Sequence, residues 1–363
     1  MKQPNEAARD LWSQIFERSA AQPDAALFKP EEEIEAQHAE LAVRALLEAG
    51  WSEAEIERRN EAGALCPELE DPNSPGVAPG LEFRLQVLSD RVRRVIAETG
   101  NTEHEKVEIA IDPIAGVSAS LTNVIMTDQG ILAVSSFLFR WCGLVARAYT
   151  RTLYAELTYW TTTAPVVGGD RAILLRNHDI VQYWFRIFTS FFLTGTHALV
   201  PFRPSTPTEF HMFEQVAWSM EYFTVAHEFG HHVLGHRQMG EDPKKQEFQA
   251  DAFSAKVCEQ LEFEPFPLIS NPYTRTGAGG SLMLIALEIL RSFEGVPKSE
   301  THPPASQRVD RIASRNLLLP KQLEMDQDFN ETVRRIMNAV AALMEELRNA
   351  ESQMRGHQNI QAF

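Results

Sequence analysis

Cysteine is scarce in this chain of 363 residues: Cys66, Cys142 and Cys258 lie far apart, and none belongs to a Cys-x-x-Cys pair. An odd number of widely spaced cysteines predicts neither a disulfide framework nor a thiolate zinc site, and it is typical of a reducing compartment. The N-terminus also lacks the apolar stretch that a secretory signal requires. We therefore predict a cytoplasmic protein.

Basic residues and uninterrupted apolar runs are also in short supply. The 34 Lys and Arg residues are outnumbered by 50 Asp and Glu residues, which leaves a net charge of −16. Such a charge disfavours nucleic acid and anionic membrane surfaces as partners. The two most apolar stretches, 131–146 and 180–199, are interrupted by Arg140 and Arg186. We read both as buried protein core and expect no membrane span.

The hydrophobic fraction of 44% is sufficient for a folded core. An acidic helical region is predicted for 1–105, with a loop or linker at 66–80 that is rich in proline. Strands are predicted at 107–111, 123–126 and 131–134, the last two forming a hairpin around 128–130. Further helices are expected to begin near residues 136, 179, 208, 244, 281 and 327. The prediction is an α+β fold, mostly helical with a small sheet, divided into 1–105, a catalytic domain at 106–320, and a C-terminal helix at 321–363.

The sharpest motif is His227-Glu228-Phe229-Gly230-His231. Residues four apart lie on one face of a helix, so the two imidazoles can bind one zinc ion. Glu228 is rotated away from that face, where it can act as a general base without binding the metal. The alternative is an ordinary pair of histidines on a helix.

A catalytic zinc site needs a third protein ligand and one open position. The metzincin arrangement would place a histidine at position 237, which is Arg237 here, and His232 and His236 are offset from the ligand face. The other source is the next helix, where Glu247 and Asp251 are four residues apart. Glu247 is predicted to be the third ligand, and Asp251 to accept a hydrogen bond from a ligand imidazole, His227 in our interpretation.

A third element is Thr301-His302-Pro303-Pro304, followed by Arg308. Two prolines restrict the backbone and would aim His302 in one direction, where it could stabilise an oxyanion. The alternative is a helix-entry loop with an incidental histidine. The glycine-rich run at 276–280 lacks the lysine and the preceding strand of a phosphate-binding loop, and we interpret it as a helix-entry loop too.

In order, His-Glu-x-x-His, Glu-x-x-x-Asp and His-Pro-Pro-x-x-x-Arg resemble the gluzincin metallopeptidases of the HtpX and CAAX-prenyl-protease type, over roughly residues 107–315. Members of the HtpX type carry transmembrane helices, whereas this sequence predicts none, so we expect a soluble variant with a zincin-like core. The resemblance implies zinc ligands His227, His231 and Glu247, the base Glu228, a supporting carboxylate Asp251, the transition-state histidine His302, and the arginine that follows it, Arg308.

The resulting hypothesis is a zinc metallopeptidase with one Zn²⁺ per chain that acts on a protein or peptide, as an endopeptidase. The strand Ile131, Leu132, Ala133 and Val134 is our candidate for the sheet edge that pairs with an extended substrate. One competing hypothesis is a regulatory zinc-binding module, in which His236 or Glu241 closes the site. Another is a host-defence or toxin-like protease that is gated by the acidic N-terminal region.

Overall fold

The computed structural model describes residues 32–48, 52–61, 79–112, 115–123, 129–162, 169–201, 205–236, 242–261, 271–295, 301–316 and 324–360. Three helices, α1 (Glu32–Glu48), α2 (Glu53–Glu61) and α3 (Pro79–Glu98), precede the strands β1 (Val107–Asp112), β2 (Ala119–Asn123) and β3 (Gly130–Ser135). The helices that follow are α4 (Ser136–Thr162), α5 (Gly169–Arg176), α6 (His178–Thr194), α7 (Pro207–Val233), α8 (Pro243–Gln260), α9 (Pro272–Arg275), α10 (Ala278–Glu294), α11 (Ala305–Asn316) and α12 (Glu324–Ile360).

This architecture confirms the prediction of a mostly helical α+β fold with a small sheet. The predicted helix starts agree with the structure to within a few residues. The predicted linker lies outside the described residues except for its last two, Pro79 and Gly80, which begin α3. None of the helices in the described part of the chain combines the length and the apolar character that a membrane crossing requires.

The sheet has the strand order β1-β3-β2, with β1 parallel and β2 antiparallel to β3. The antiparallel pairing of the last two strands was predicted. The structure places the first of them at 119–123, so the prediction of 123–126 missed residues 119–122 and shares only Asn123 with the described strand. Leu121 is half-buried between the exposed residues Ser120 and Thr122, the alternation expected of a strand with one face covered. Residues 124–128 lie outside the described part of the chain.

The central element is α7, which packs against α3, α4, α8 and α10. It begins with a capping box: the Thr206 side chain accepts a hydrogen bond from the Glu209 backbone, and the Glu209 side chain accepts one from the Thr206 backbone. Pro207 occupies the first turn, as predicted. The helix α10 approaches α7 so closely that a Cβ atom at Gly280 would lie 2.2 Å from the Phe223 ring.

One hydrophobic cluster joins elements from α1 to α12 across the described residues. The buried side chains of α12 include Val333, Ile336, Val340 and Leu343. These side chains follow the heptad-like spacing seen in the sequence and pack on the protein's own core. Residues from all three predicted domains contribute to this cluster, and the division at 105 and 320 stays a prediction.

Candidate active site

The two histidines of the His-Glu-x-x-His motif face each other on the last turns of α7. His227 is buried and His231 is half-buried. Their Nε2 atoms are 3.1 Å apart, and the ring planes are inclined by 81°. Both rings therefore direct the same nitrogen towards one point, as the helical spacing predicted.

The carboxylate of Glu247 reaches the same point from α8. Its Oε2 lies 3.5 Å from His227 Nε2, and its Oε1 lies 3.4 Å from His231 Nε2. The two helices can approach this closely because residue 230 is glycine: a Cβ atom there would lie 3.0 Å from the Phe253 side chain. The structure thus brings together the three residues that the sequence singled out as metal ligands.

The arrangement of these three groups fits a metal ion. One ligand atom from each of His227, His231 and Glu247 can be chosen so that all lie within 4.8 Å of one another. A tetrahedron with zinc–ligand bonds of about 2.0–2.1 Å has edges of roughly 3.3–3.4 Å, close to the distances of 3.1, 3.4 and 3.5 Å between these groups. Glu247 Oε2 is also buried and makes no hydrogen bond of ordinary geometry among the described residues, its neighbours being His227 Nε2 at 3.5 Å and the Arg308 guanidinium at 3.3 Å.

Asp251 and Arg308 support the buried side of this group. His227 Nδ1 lies 3.1 Å from Asp251 Oδ1. Arg308, on α11, donates two hydrogen bonds to Asp251, of 2.7 and 2.6 Å, and its guanidinium lies 3.3 Å from Glu247 Oε2. Paired donation of this kind fixes the plane of a carboxylate. Asp251 therefore has the position expected for a partner of His227, and Arg308 holds both carboxylates.

The electrostatics of the site favour positive charge between the carboxylates. Burial acts to lower the pKa of His227, but hydrogen bonds to Asp251 and Glu247 outweigh it and raise this pKa to about 9. Burial acts to raise the pKa of Glu247 and of Asp251, yet the pKa of each carboxyl is lowered. His227 and His231 lower the pKa of Glu247, and Arg308 and His227 lower that of Asp251. Both carboxylates thus stay ionised and available to a cation.

Glu228 lines the same cavity as His227 and Glu247 and reaches the sheet at Leu121. Burial raises its pKa above the ordinary value, and the charge of Glu247 raises it further, whereas the two imidazoles and a hydrogen bond from the Leu121 backbone act to lower it. The Leu121 contact places this carboxylate beside β2. A raised pKa favours the uptake of a proton by this carboxyl, which is what a general base must do.

The prediction that the strand Ile131–Val134 forms the substrate edge is wrong, because β3 lies between β1 and β2 with both of its sides paired. Ile131 is exposed on the sheet face, Ala133 is half-buried, and Leu132 and Val134 are fully buried. The edge strand beside the site is β2. The strand order is set by which strands pair with one another. A pattern of apolar residues along each strand does not reveal this pairing.

The free edge of β2 can be derived from its pairing. The Ser135 backbone donates a 2.8 Å hydrogen bond to the Ser118 carbonyl, so Ser118 faces β3. Directions alternate along an antiparallel strand, so the backbone groups of Ala119 and Leu121 face away from β3. The contact between Leu121 and Glu228 agrees with this alternation. Ala119 lines the cavity of the site with its backbone edge unpaired by the sheet.

His302 stands on the other side of the group. Its Nε2 lies 3.5 Å from Glu247 Oε1, and its Nδ1 lies 2.8 Å from the Thr301 hydroxyl. Burial lowers the pKa of His302, which favours the neutral imidazole. The structure brings His302 to the cavity with the other predicted residues, and its role in the reaction stays a prediction.

These groups open into one cavity of about 360 Å³. Its charged end holds His227, Glu228, Glu247, His302 and Arg308. The rest of its wall comes largely from α10, which contributes both apolar side chains and the charged residues Arg291 and Glu294. The apolar part consists of Met283, Leu284, Leu287 and Leu290 of α10, with Leu138 of α4 and Phe223 of α7. The sequence predicted this helix without relating it to the site, because an apolar helix face does not reveal which side chains border a cavity.

His236 contacts the site without being able to close it. Its Nδ1 lies 2.9 Å from Nδ1 of His231, which is on the opposite side of that ring from the nitrogen facing Glu247. His236 therefore does not supply the fourth ligand that a closed structural site would need. Glu241, the other residue considered for that role, lies outside the described residues.

The glycine-rich run at 276–280 lies at the entry of α10, as predicted, but residues 278–280 belong to the first turn of the helix and not to a loop. Gly277, with φ of 72°, precedes the helix, and Gly279 and Gly280 lie against α7, where Cβ atoms would meet Ser219 and Phe223 within 2.3 Å. The absence of side chains at these positions therefore serves helix packing.

Residues 201–322 match the family model described as Peptidase U49. The matched segment contains the two helices that carry the candidate ligands and base, and also His302 and Arg308. The match indicates a peptidase family and supports a peptidase function. No curated protein and no solved structure matches the chain.

Proposed function

We propose that this protein is a zinc-dependent endopeptidase of the gluzincin type, with one zinc ion per chain held by His227, His231 and Glu247. The observation that carries the proposal is the convergence of these three side chains at distances that suit one tetrahedral ion. Two imidazoles and one carboxylate are the ligand set of catalytic zinc sites that keep an open position. Among the described residues the group of potential ligands has these three members, which argues against a closed structural site.

When bound, zinc supplies Lewis-acid chemistry, because it lowers the pKa of a water molecule and polarises a carbonyl group. Glu228 acts as the general base: its carboxylate takes a proton from the attacking water and later passes it to the leaving amine. His302 stabilises the negative charge that develops on the carbonyl oxygen. Asp251 and Arg308 hold His227 and Glu247 in place.

An extended substrate would pair with β2 at Ala119, where the backbone faces the cavity and is free of β3. Addition of a strand to a sheet edge orients a peptide along its whole backbone and does not require a free terminus, which favours cleavage within a chain. The apolar wall of α10 beside the charged end would accept a large apolar side chain next to the scissile bond.

The decisive experiment combines metal analysis with two matched glutamate variants. Purified protein should contain about one zinc per chain. Glu228→Gln should keep the metal and the thermal stability but lower peptide cleavage by about 10²–10⁴-fold, since it removes the general base. Glu247→Gln should lose zinc as well as activity. Loss of zinc from Glu228→Gln, or full activity without metal, would contradict the proposal.

The substrate assignment is tested separately, by changing the apolar wall. Leu287 is half-buried and lines the cavity. Leu287→Ala should lower kcat/KM for peptides with a large apolar side chain beside the cleaved bond by roughly 10-fold, with little change for peptides that carry alanine there. Equal losses for both peptide series would show that Leu287 does not determine the preference for the substrate side chain beside the cleaved bond. The cytoplasmic location stays a prediction. Cys142 and Cys258 are buried, and neither forms a disulfide among the described residues.

A further inference from the structure

The end of α7 folds His236 back onto the metal ligand His231. The Gly235 backbone donates to the His232 carbonyl and the His236 backbone donates to the His231 carbonyl, each at 3.0 Å. Gly235 has φ of 69°, the left-handed conformation that this double closure requires. The pattern is a Schellman motif, in which the residue after the glycine contacts the residue five positions earlier. Here that contact joins two imidazoles.

The two imidazoles continue into a chain of hydrogen bonds that ends on α8. His231 Nδ1 lies 2.9 Å from His236 Nδ1, and His236 Nε2 lies 3.0 Å from Gln249 Oε1. An amide oxygen can only accept, so the hydrogen on this end of the His236 ring is on Nε2. The Nδ1 of a neutral His236 then carries a lone pair and accepts, and His231 must donate from Nδ1. The His231 Nε2 atom is left without hydrogen, on the side that faces Glu247.

We infer that His236 and Gln249 are positioning residues that set the tautomer of His231, so that its Nε2 is free to bind zinc. This inference rests on the proposed function. Each ligand histidine thus has its own support: His227 has the carboxylate of Asp251 at 3.1 Å, and His231 has a neutral relay through His236 to Gln249. Fixing the tautomer of a metal-binding histidine through its other nitrogen is the general way in which outer groups tune such a site.

The direction of the relay can be reversed by one substitution. Gln249 is exposed, so its variants should fold. Gln249→Glu keeps an acceptor and should leave zinc affinity within about 3-fold of the wild type. Gln249→Lys offers only donors, which forces the opposite hydrogen pattern and places hydrogen on His231 Nε2. We expect zinc affinity of Gln249→Lys to fall by about 10–100-fold, measured by competition with a chromophoric chelator.

Two controls separate the tautomer from charge and from packing. Ala252 is an exposed position three residues further along α8, so Ala252→Glu and Ala252→Lys introduce the same charges outside the relay. They should change zinc affinity by less than about 3-fold. At the other link, His236→Asn places an acceptor oxygen where Nδ1 stood and should retain affinity, whereas His236→Leu fills the space without an acceptor and should weaken it.

Imidazole nitrogen NMR of the full chain provides a readout that is independent of affinity. We expect hydrogen on Nδ1 of His231 and on Nε2 of His236 in the zinc-loaded protein. The inference is overturned if His236 carries its hydrogen on Nδ1, or if Gln249→Lys matches Gln249→Glu in affinity. It is also overturned if the Ala252 pair reproduces the Gln249 pair. A wild-type protein that binds no zinc would refute the proposed function itself, a result distinct from these.

Discussion

Two glutamates on α7, Glu221 near the middle of the helix and Glu228 near its end, have opposite surroundings. They are seven residues apart, which is almost two full turns, so they lie on nearly the same side of the helix. Glu221 is fully buried and accepts two hydrogen bonds, of 2.8 and 2.9 Å, from Arg84 on α3. Glu228 is half-buried beside two imidazoles and the cavity, and its pKa is raised by burial.

The comparison shows how the surroundings of a carboxylate separate a structural role from the proposed reactive one. A buried carboxylate that is held by a paired guanidinium has its charge compensated and its lone pairs occupied. The Arg84 guanidinium also stacks on the Trp218 ring, 4.6 Å from its centre, which further restricts the ion pair. Glu228 receives no such paired donation in the described structure, so its protonation can change during a reaction. The middle of α7 therefore carries a carboxylate held in a buried ion pair with Arg84, which we call the anchor, and its end carries the proposed general base.

Removing the N-terminal segment that supplies Arg84 should have the largest effect. Deletion of residues 1–100 takes away Arg84 and the buried leucines 81, 85 and 88, and it leaves Glu221 buried without its partner. We expect this variant to lose cooperative thermal unfolding, measured by circular dichroism. A folded and more active product would instead support the gating hypothesis. Deletion of residues 1–31 keeps every described element and is the appropriate test of gating.

Removing only the guanidinium of Arg84 should lower the stability less than the deletion does, but still strongly. Arg84→Met leaves the Glu221 charge uncompensated and should lower the free energy of unfolding by about 3–5 kcal/mol, measured by urea denaturation. The double variant Arg84→Met with Glu221→Leu removes both charges and should recover most of that loss. Zinc content of the folded protein should be unchanged in both. A double variant as unstable as the single one would mean that the pair itself is not what stabilises this half of α7.

At the candidate metal site, removing the charge of the carboxylate that contacts His227 should have a moderate effect. Asp251→Asn keeps the size of the side chain but removes the charge that faces His227 and Arg308. We expect zinc affinity to fall by about 10–100-fold, with the Glu228 environment preserved. Chelator competition measures the loss, and Asp310→Asn, at an exposed position on α11, is the control. An unaltered zinc affinity would show that Asp251 supports the fold alone.

The smallest expected effect comes from the last turn of α7. Gly235→Ala places a side chain at φ of 69°, which costs about 1 kcal/mol, whereas Gly235→Asn tolerates this conformation better. Stability measured by thermal unfolding should therefore decrease in the order Gly, Asn, Ala. If alanine is the most stable of the three, the closing turn is not held in the left-handed conformation in solution.

The sequence alone was sufficient to predict most of the elements and to select the candidate ligands. Helical spacing places His227 and His231 on one face whatever the rest of the chain does, because the period of a helix is a local property. The same holds for Glu247 and Asp251, which are one turn apart on the next helix. The clearest failures were the missed strand residues 119–122 and the edge assigned to 131–134, both of which depend on pairing between distant segments.

What only the tertiary structure decided is how these local faces meet. Gly230 permits α7 and α8 to approach until Glu247 faces both imidazoles, and Arg308 then ties Asp251 to the same group. The strand order makes β2, and not β3, the edge beside Glu228. Residue spacing along a chain determines direction around a helix axis, but the distance between two elements depends on every side chain packed between them. The candidate ligands could therefore be named from the sequence, whereas their convergence and the shape of the cavity could not be predicted from it.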